Sequence, residues 1–235
     1  VRVLHVLGNT NLGGAESRIM DLYRHTDRNR VQFDFLVHSR EEGFFEKEIR
    51  ELGGRIFRVP RFRIYNYFSY RKALKEFFQK HHEFALVQGH MTSTAAIYLP
   101  IAKKAGVKKT AAHARSAGVD KGLKGTMTRF LRRNLADKAD YLFTCSELAG
   151  ISVYGEKAVQ EGKTIFIPNA IDCAGFTFDP EKRKKMREEL GLTDALIIGH
   201  VGRFHYAKNH EYLLRVFAEL CRMSAGACGS TAENG

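Results

Sequence analysis

The chain has 235 residues, 44% hydrophobic and 27% charged, an ordinary globular balance with room for one α/β domain, or for one domain and part of a second. Lys and Arg number 38 against 26 Asp and Glu, a formal net charge of +12, which draws anionic partners (phosphorylated ligands, nucleic acid, an anionic membrane) without choosing among them. No apolar run approaches the roughly 18 residues that span a bilayer, the opening VRVLHVLGNTNLGG is unlike a secretory leader, and the four cysteines form no CxxC pair or metal-ligand cluster; the expectation is a cytoplasmic protein with reduced thiols.

Strands and helices alternate from the first residue. Residues 1–7 form an apolar strand run, and residues 13–25 carry Ala15, Ile19, Met20, Leu22 and Tyr23 at helical spacing. Strands are expected at 32–38, 55–59, 84–88, 109–114, 141–145 and 164–167, and helices at 44–52, 69–81, 93–105, 124–137 and 146–154. This rhythm implies a mostly parallel, doubly wound sheet with right-handed crossovers, whose ligands lie at the carboxyl ends of the strands. Pro168-Asn169-Ala170-Ile171-Asp172 breaks the pattern. A polar helix follows at 180–190, and the rhythm restarts with a strand at 195–201 and a helix at 209–222. The expected organisation is therefore a first domain over 1–167, a linker and helix over 168–193, the opening βα of a second domain over 194–222, and a disordered tail over 223–235, where no large apolar residue follows Met223 to cover a sheet. A lone strand and helix cannot close a domain, so the reading at this point is a truncated second domain.

The loop Gly8-Asn9-Thr10-Asn11-Leu12-Gly13-Gly14-Ala15-Glu16 opens the first helix. Its glycines allow close backbone approach, and the helix N-terminus offers free N–H groups and a positive dipole end to a phosphate. Gly14 and Ala15 stand where a P-loop has its Lys and Ser/Thr, and GxGxxG is absent, which argues against a nucleoside triphosphatase and a dinucleotide oxidoreductase; the same pair also serves as a plain strand-to-helix turn. Arg203 and Lys208, in the loop Gly202–Asn209, suit a diphosphate, though such residues are commonly just solvated. His113, ending the fifth strand, and His90, after the fourth, are placed to contact a ligand, or equally to be structural. Residues 121–137 are amphipathic: Met127, Phe130, Leu131 and Leu135 share a face beside Lys121, Lys124, Arg129, Arg132 and Arg133, which suits either an anionic lipid surface or an ordinary core-facing helix. No aromatic-interleaved basic patch supports nucleic-acid binding.

Taken in order, these motifs resemble retaining glycosyltransferase family 4, enzymes of the GT-B fold with two Rossmann-like domains. The resemblance rests on the first-strand LHVL with Gly13-Gly14-Ala15-Glu16, the loop Gly89-His90-Met91-Thr92-Ser93, His113, Ile167-Pro168-Asn169-Ala170-Ile171-Asp172, and Gly202-Arg203 with Lys208-Asn209. Its flavour is that of bacterial capsular and exopolysaccharide transferases. The resemblance implies a nucleotide-diphosphate sugar as donor, no cofactor and no metal at the site. It places the Gly13-Gly14 loop beside the donor diphosphate, Arg203 and Lys208 on its phosphates, His113 at the reaction centre, and Glu16 and His90 on the acceptor and sugar side. It also implies a glycan or lipid-linked acceptor at the inner membrane face. The family's late Glu-x7-Glu pair has no counterpart here: Glu181/Glu189 and Glu211/Glu219 have the spacing but fall too early. The expectation is that this chain is nearly inactive alone. A non-catalytic acceptor or membrane-binding module and a nucleotide-sugar epimerase of the same double-Rossmann plan are the alternatives.

Overall fold

The computed structural model describes residues 1–118, 122–193, 196–202, 204 and 206–229. They pack as two units that divide between Cys173 and Ala174.

The first unit is built on β1 (Arg2–Leu7), β2 (Gln32–Val37), β3 (Ile56–Arg58), β4 (Phe84–Gly89), β5 (Lys109–Ala114), β6 (Tyr141–Thr144) and β7 (Thr164–Phe166). These form one seven-stranded sheet in the order β3-β2-β1-β4-β5-β6-β7, every neighbouring pair parallel. The order reverses direction between β1 and β4, which makes their carboxyl ends the switch point of a doubly wound sheet. Alternation along β1 divides the core. Val3 and Leu7 join Ile19, Met20 and Tyr23 of α1 (Gly14–Arg24) and Ile49 of α2 (Glu46–Glu51) on one face. Leu4 and Val6 join residues of α3 (Tyr67–Lys80), α4 (Thr92–Lys104), α6 (Glu147–Tyr154) and α7 (Glu156–Gln160) on the other. Helix α5 (Gly122–Arg132) packs beside α4. Buried on both faces, the central strands read as continuous apolar runs.

Local chemistry explains several boundaries. Ser146 caps α6 by accepting from the Ala149 N–H at 3.2 Å, the arrangement favoured at helix starts. Gly155, at φ 88°, turns the chain between α6 and α7, so the expected single helix is followed by a short one that the periodicity does not announce. The helix expected over 124–137 ends at Arg132; Asn134 takes a left-handed conformation and a 3-10 turn, Leu135–Asp137, follows. In that segment Leu135 is buried but Phe130 is exposed, so the expected apolar face is split; Lys121 lies outside the described residues, as does the Lys124 side chain.

In the second unit α8 (Pro180–Glu189) starts with Pro at its first turn and with Asp179 accepting from the N–H groups of Glu181 and Lys182, both at 3.0 Å. Two expectations are corrected here. Residues 196–202 form no strand, because a strand exists only when a partner takes up its backbone hydrogen bonds, and Val201 is 98% exposed. The last helix, α9 (His210–Gly229), runs past Arg222: the small residues Ser224 to Cys228 contain no proline to stop it, and alanine favours helix. Residues 230–235 lie outside the described set.

A buried carboxylate ties β1, β2 and the start of β3 together. Asp34 on β2 accepts from Arg2 (2.6 and 2.5 Å), and from the Arg55 N–H and guanidinium at 2.8 Å each. Its side chain is fully buried. Burial pushes the Asp34 carboxyl up, but hydrogen bonds from Arg2 and Arg55 outweigh that and hold it below its ordinary value. Removing one partner of such a network strands the others. Asp34→Ala should therefore lower the unfolding free energy by about 3–5 kcal/mol in urea titrations; a loss under about 1 kcal/mol would show that the network carries no stability.

Candidate functional site

The switch point brings together loops that are far apart in sequence. Gly8 follows β1, and a Cβ placed on it would come to 4.0 Å from the Met91 sulfur, after β4. The loop from Gly8 to Gly14 is held from behind. The Phe45 N–H donates to the Thr10 carbonyl at 2.9 Å, the Phe44 N–H to Asn11 Oδ1 at 3.0 Å, and the Thr10 hydroxyl to Glu46 at 3.2 Å. Glu46 is itself buried and gripped by Arg58 and Arg50. Gly13 is the extended N-cap of α1. A side chain there would collide with the Glu16 carboxylate, which folds back over the helix start, whereas Gly14 faces open space. An anion at this dipole end is electrostatically favourable, and a phosphate arriving there has to displace Glu16.

His90 and His113 do come together, their ring centroids 5.4 Å apart. The structure adds two residues that the sequence does not single out, His5 and Arg115. Arg115 Nε donates to His90 Nδ1 at 3.4 Å, so the His90 proton sits on Nε2, 3.1 Å from His5 Nδ1. His90 thus donates to His5, which carries its own proton on Nε2. Gln88 Nε2 donates to His113 Nδ1 at 3.0 Å, which likewise puts the His113 proton on Nε2. The Nε2 atoms of His5 and His113 are buried and have no hydrogen-bond partner among the described residues.

All three histidines are neutral. Burial, with Arg115 adding to it, brings the His5 and His113 pKa values down to about 3. Burial, His5, Arg115 and His113 together hold His90 well below its ordinary value. Arg115 makes no ion pair among the described residues; its Nη1 reaches Asn169 Oδ1 at 3.5 Å. Burial lowers its pKa, and the nearby Glu16 charge works the other way. Beside it, Arg18 of α1 donates to the Ala170 carbonyl at 2.7 Å. These contacts fasten the segment Ile167–Asp172 over α1 and enclose a crevice of about 610 Å³, lined also by Asp21, Leu22 and His25. A basic residue two positions after His113, and an ionisable residue inside an apolar strand, are the signals that would have pointed to Arg115 and His5.

In the second unit Lys208 closes a 3-10 turn, Tyr206–Lys208, just before α9, and its stem lies about 3.5 Å from where a Gly202 side chain would project. Arg203 lies outside the described residues. Among the described residues no group of three or more His, Cys, Asp and Glu could hold a metal, and no helix is long and apolar enough to cross a membrane.

Comparison with known proteins places this architecture. Residues 12–174 match the family model described as Glycosyltransferase Family 4. A putative glycosyltransferase of Bacillus subtilis (strain 168), EpsF, is 33% identical over 223 residues, covering 93% of this chain and 58% of that protein. A GDP-mannose-dependent alpha-(1-6)-phosphatidylinositol monomannoside mannosyltransferase of Mycolicibacterium smegmatis is 27% identical over 60% of this chain and 36% of its own length. The chain thus spans little more than half the length of the first of these curated relatives, and about a third of the second. Among solved structures, Anabaena Alr3699/HepE in complex with UDP superposes with a TM-score of 0.70 at 17% identity, over 93% of this chain and 58% of that one. A glycosyltransferase from Rickettsia africae superposes at 0.57 and 15% identity, over 81% and 49%. At these identities the structures speak for the fold alone: a Rossmann-like parallel sheet of the GT-B glycosyltransferase type.

The neutral histidines make the fold acid-sensitive. Their folded pKa values lie below the unfolded value, so the unfolded chain binds more protons between those limits, and stability is complete above about pH 6.5 and falls as pH drops toward 3. Each such histidine contributes a slope of up to about 1.4 kcal/mol per pH unit in that window. His5→Phe should flatten this dependence in urea unfolding measured between pH 7 and 4; an unaltered slope would mean that His5 is not held neutral.

Proposed function

Because the chain belongs to Glycosyltransferase Family 4, we propose that the protein of which it is a part transfers a sugar, with retention, from a nucleotide-diphosphate sugar to a glycan or lipid-linked saccharide acceptor in cell-surface polysaccharide synthesis. One observation carries the reading: the switch point between β1 and β4 gathers the α1 N-terminus, Glu16, His90, His113 and Arg115, which makes no ion pair among the described residues, at the carboxyl edge of the sheet, where open α/β sheets take their ligands. The likeness to EpsF, a putative glycosyltransferase, supports sugar transfer, and the HepE structures, held with UDP and with UDP-glucose on the same fold, support a nucleotide-sugar donor.

In this reading the Gly13-Gly14 turn offers backbone N–H groups to the donor diphosphate once Glu16 swings aside. Arg203 and Lys208 bind the same phosphates from the second unit. His113 uses its unpartnered Nε2–H to hydrogen-bond the transferred sugar, while Glu16 and His90 face the acceptor. Charge builds on the diphosphate as the glycosidic bond breaks, and fixed cations and helix dipoles stabilise it without reorganising; no metal is required. The net charge of +12 suits a peripheral place on the anionic inner membrane face, where a lipid-linked acceptor resides.

UDP serves as the probe for donor binding. Lys208→Ala and Arg203→Ala should each weaken UDP binding about tenfold in calorimetric titrations, the loss of one charge-assisted contact of about 1.4 kcal/mol. Unchanged affinity in both variants would remove these residues from the donor site.

A further inference from the structure

Three arginines of the first unit converge on one concavity without an ion pair among the described residues. Arg40 follows β2 and Arg61 and Arg63 follow β3; with Tyr65, Asn66 and the buried ring of His38 they line a pocket of about 280 Å³. None of the three makes an ion pair among the described residues, whereas Arg2, Arg18, Arg24, Arg50, Arg55 and Arg58 of the same unit each pair with a carboxylate. The nearest acids in sequence offer no relief: Glu42 is taken by Arg50, and Glu41 pairs with no arginine or lysine among the described residues.

The pocket is built rather than incidental. Asn66 accepts from the Arg63 N–H at 2.7 Å and donates to the Arg61 carbonyl at 2.9 Å, which pins the turn that presents both guanidinium groups. At the floor, His38 donates from Nδ1 to the Leu7 carbonyl at 2.9 Å and accepts from the Tyr70 hydroxyl at 2.8 Å. Its pKa is lowered by burial, so the floor is rigid and uncharged. The same segment has a second character. Phe62, Ile64 and Tyr67 leave the basic pocket and line, with Ile97, Pro100 and Phe130, a mainly apolar groove of about 720 Å³ that Arg71, Lys104, Arg133 and Lys138 also line. Ile64 and Phe130 stand largely exposed there.

We infer that Arg40, Arg61 and Arg63 form an acceptor subsite for the phosphate or diphosphate group of a lipid-linked saccharide, whose hydrocarbon chain follows the groove at Phe62, Ile64 and Tyr67. This rests on the transferase reading and adds the chemistry of the acceptor to it. Three planar donor forks suit a group carrying two or three negative charges and several oxygens, and a concave pocket takes one discrete headgroup where a bilayer surface would need only a flat basic face. The position is right for an acceptor. The ends of β2 and β3 share the carboxyl edge of the sheet with His90 and His113, two to four strand spacings away, or about 10–20 Å. A headgroup anchored there lets the glycan it carries reach the crevice.

The test uses the chain itself, titrated calorimetrically with inorganic pyrophosphate, farnesyl diphosphate and UDP, and assayed for sedimentation with vesicles containing phosphatidylglycerol. Farnesyl diphosphate should bind at least tenfold more tightly than pyrophosphate. The triple variant Arg40→Gln, Arg61→Gln, Arg63→Gln should lose at least tenfold toward both, with UDP affinity within twofold of the parent. Asn66→Ala should weaken both diphosphates without touching them, and Ile64→Ser should reduce only the farnesyl advantage. Because all three arginines are exposed and make no ion pair among the described residues, an unchanged Tm is expected and serves as the folding control. Equal binding of farnesyl diphosphate by the parent and the triple variant would overturn the subsite, as would sedimentation with vesicles in the absence of farnesyl diphosphate binding, which would make the face a membrane surface. UDP binding that survives either of those results leaves the transferase reading standing.

Discussion

A guanidinium held by neutral acceptors governs the centre of this protein. Arg115 donates to His90, and His90 passes the polarity on to His5. A protonated histidine in that chain would have no acceptor to offer and would sit buried beside a cation, so each ring is confined to one neutral tautomer. The consequence is mechanical as much as electrostatic. His5 lies on β1, His90 follows β4 and Arg115 follows β5, so the chain of contacts exists only while those three strands keep their register. Arg115, which also lines the crevice under Ile167–Asp172, is thereby coupled to the core of the sheet.

The arginines of the first unit fall into two classes, those paired with a buried carboxylate and those with no such partner among the described residues. At the amino ends of the strands Asp34 neutralises Arg2 and Arg55, and behind the first loop Glu46 neutralises Arg50 and Arg58. These pairs hold structure. Arg115 in the crevice and Arg40, Arg61 and Arg63 beyond β2 and β3 have no such partners among the described residues. A half-buried or convergent cation without a counter-ion is costly unless a ligand supplies one, and both groups sit where an anionic substrate would arrive.

The strand and helix order of the first unit is legible because its periods are clean: the run VRVLHVL, the helical spacing from Ala15 to Tyr23 and the strand at 109–114 all occupy the elements their patterns imply. The turn chemistry at Ser146 and at Pro180 marks helix starts for the same local reasons. The strand expected over 195–201 fails because β structure is a property of pairs, and an apolar run without a neighbour has nowhere to place its hydrogen bonds. The helix α9 continues because local propensity suffices to extend a helix, even where no apolar face is left to bury.

The sequence by itself determined the order of elements, the parallel sheet, the family and the pair of histidines at the strand ends, since each rests on local periodicity or on motifs a few residues long. Only the tertiary structure decided what those residues touch. That His5 supports His90, that Arg115 has no carboxylate partner among the described residues, that Glu16 covers Gly13, and that residues 61–67 turn Arg61 and Arg63 to one side and Phe62, Ile64 and Tyr67 to the other follow from strand register and side-chain packing. The His5–His90 and Arg115–His90 contacts juxtapose residues 85 and 25 positions apart, and no pattern along the chain encodes such distances.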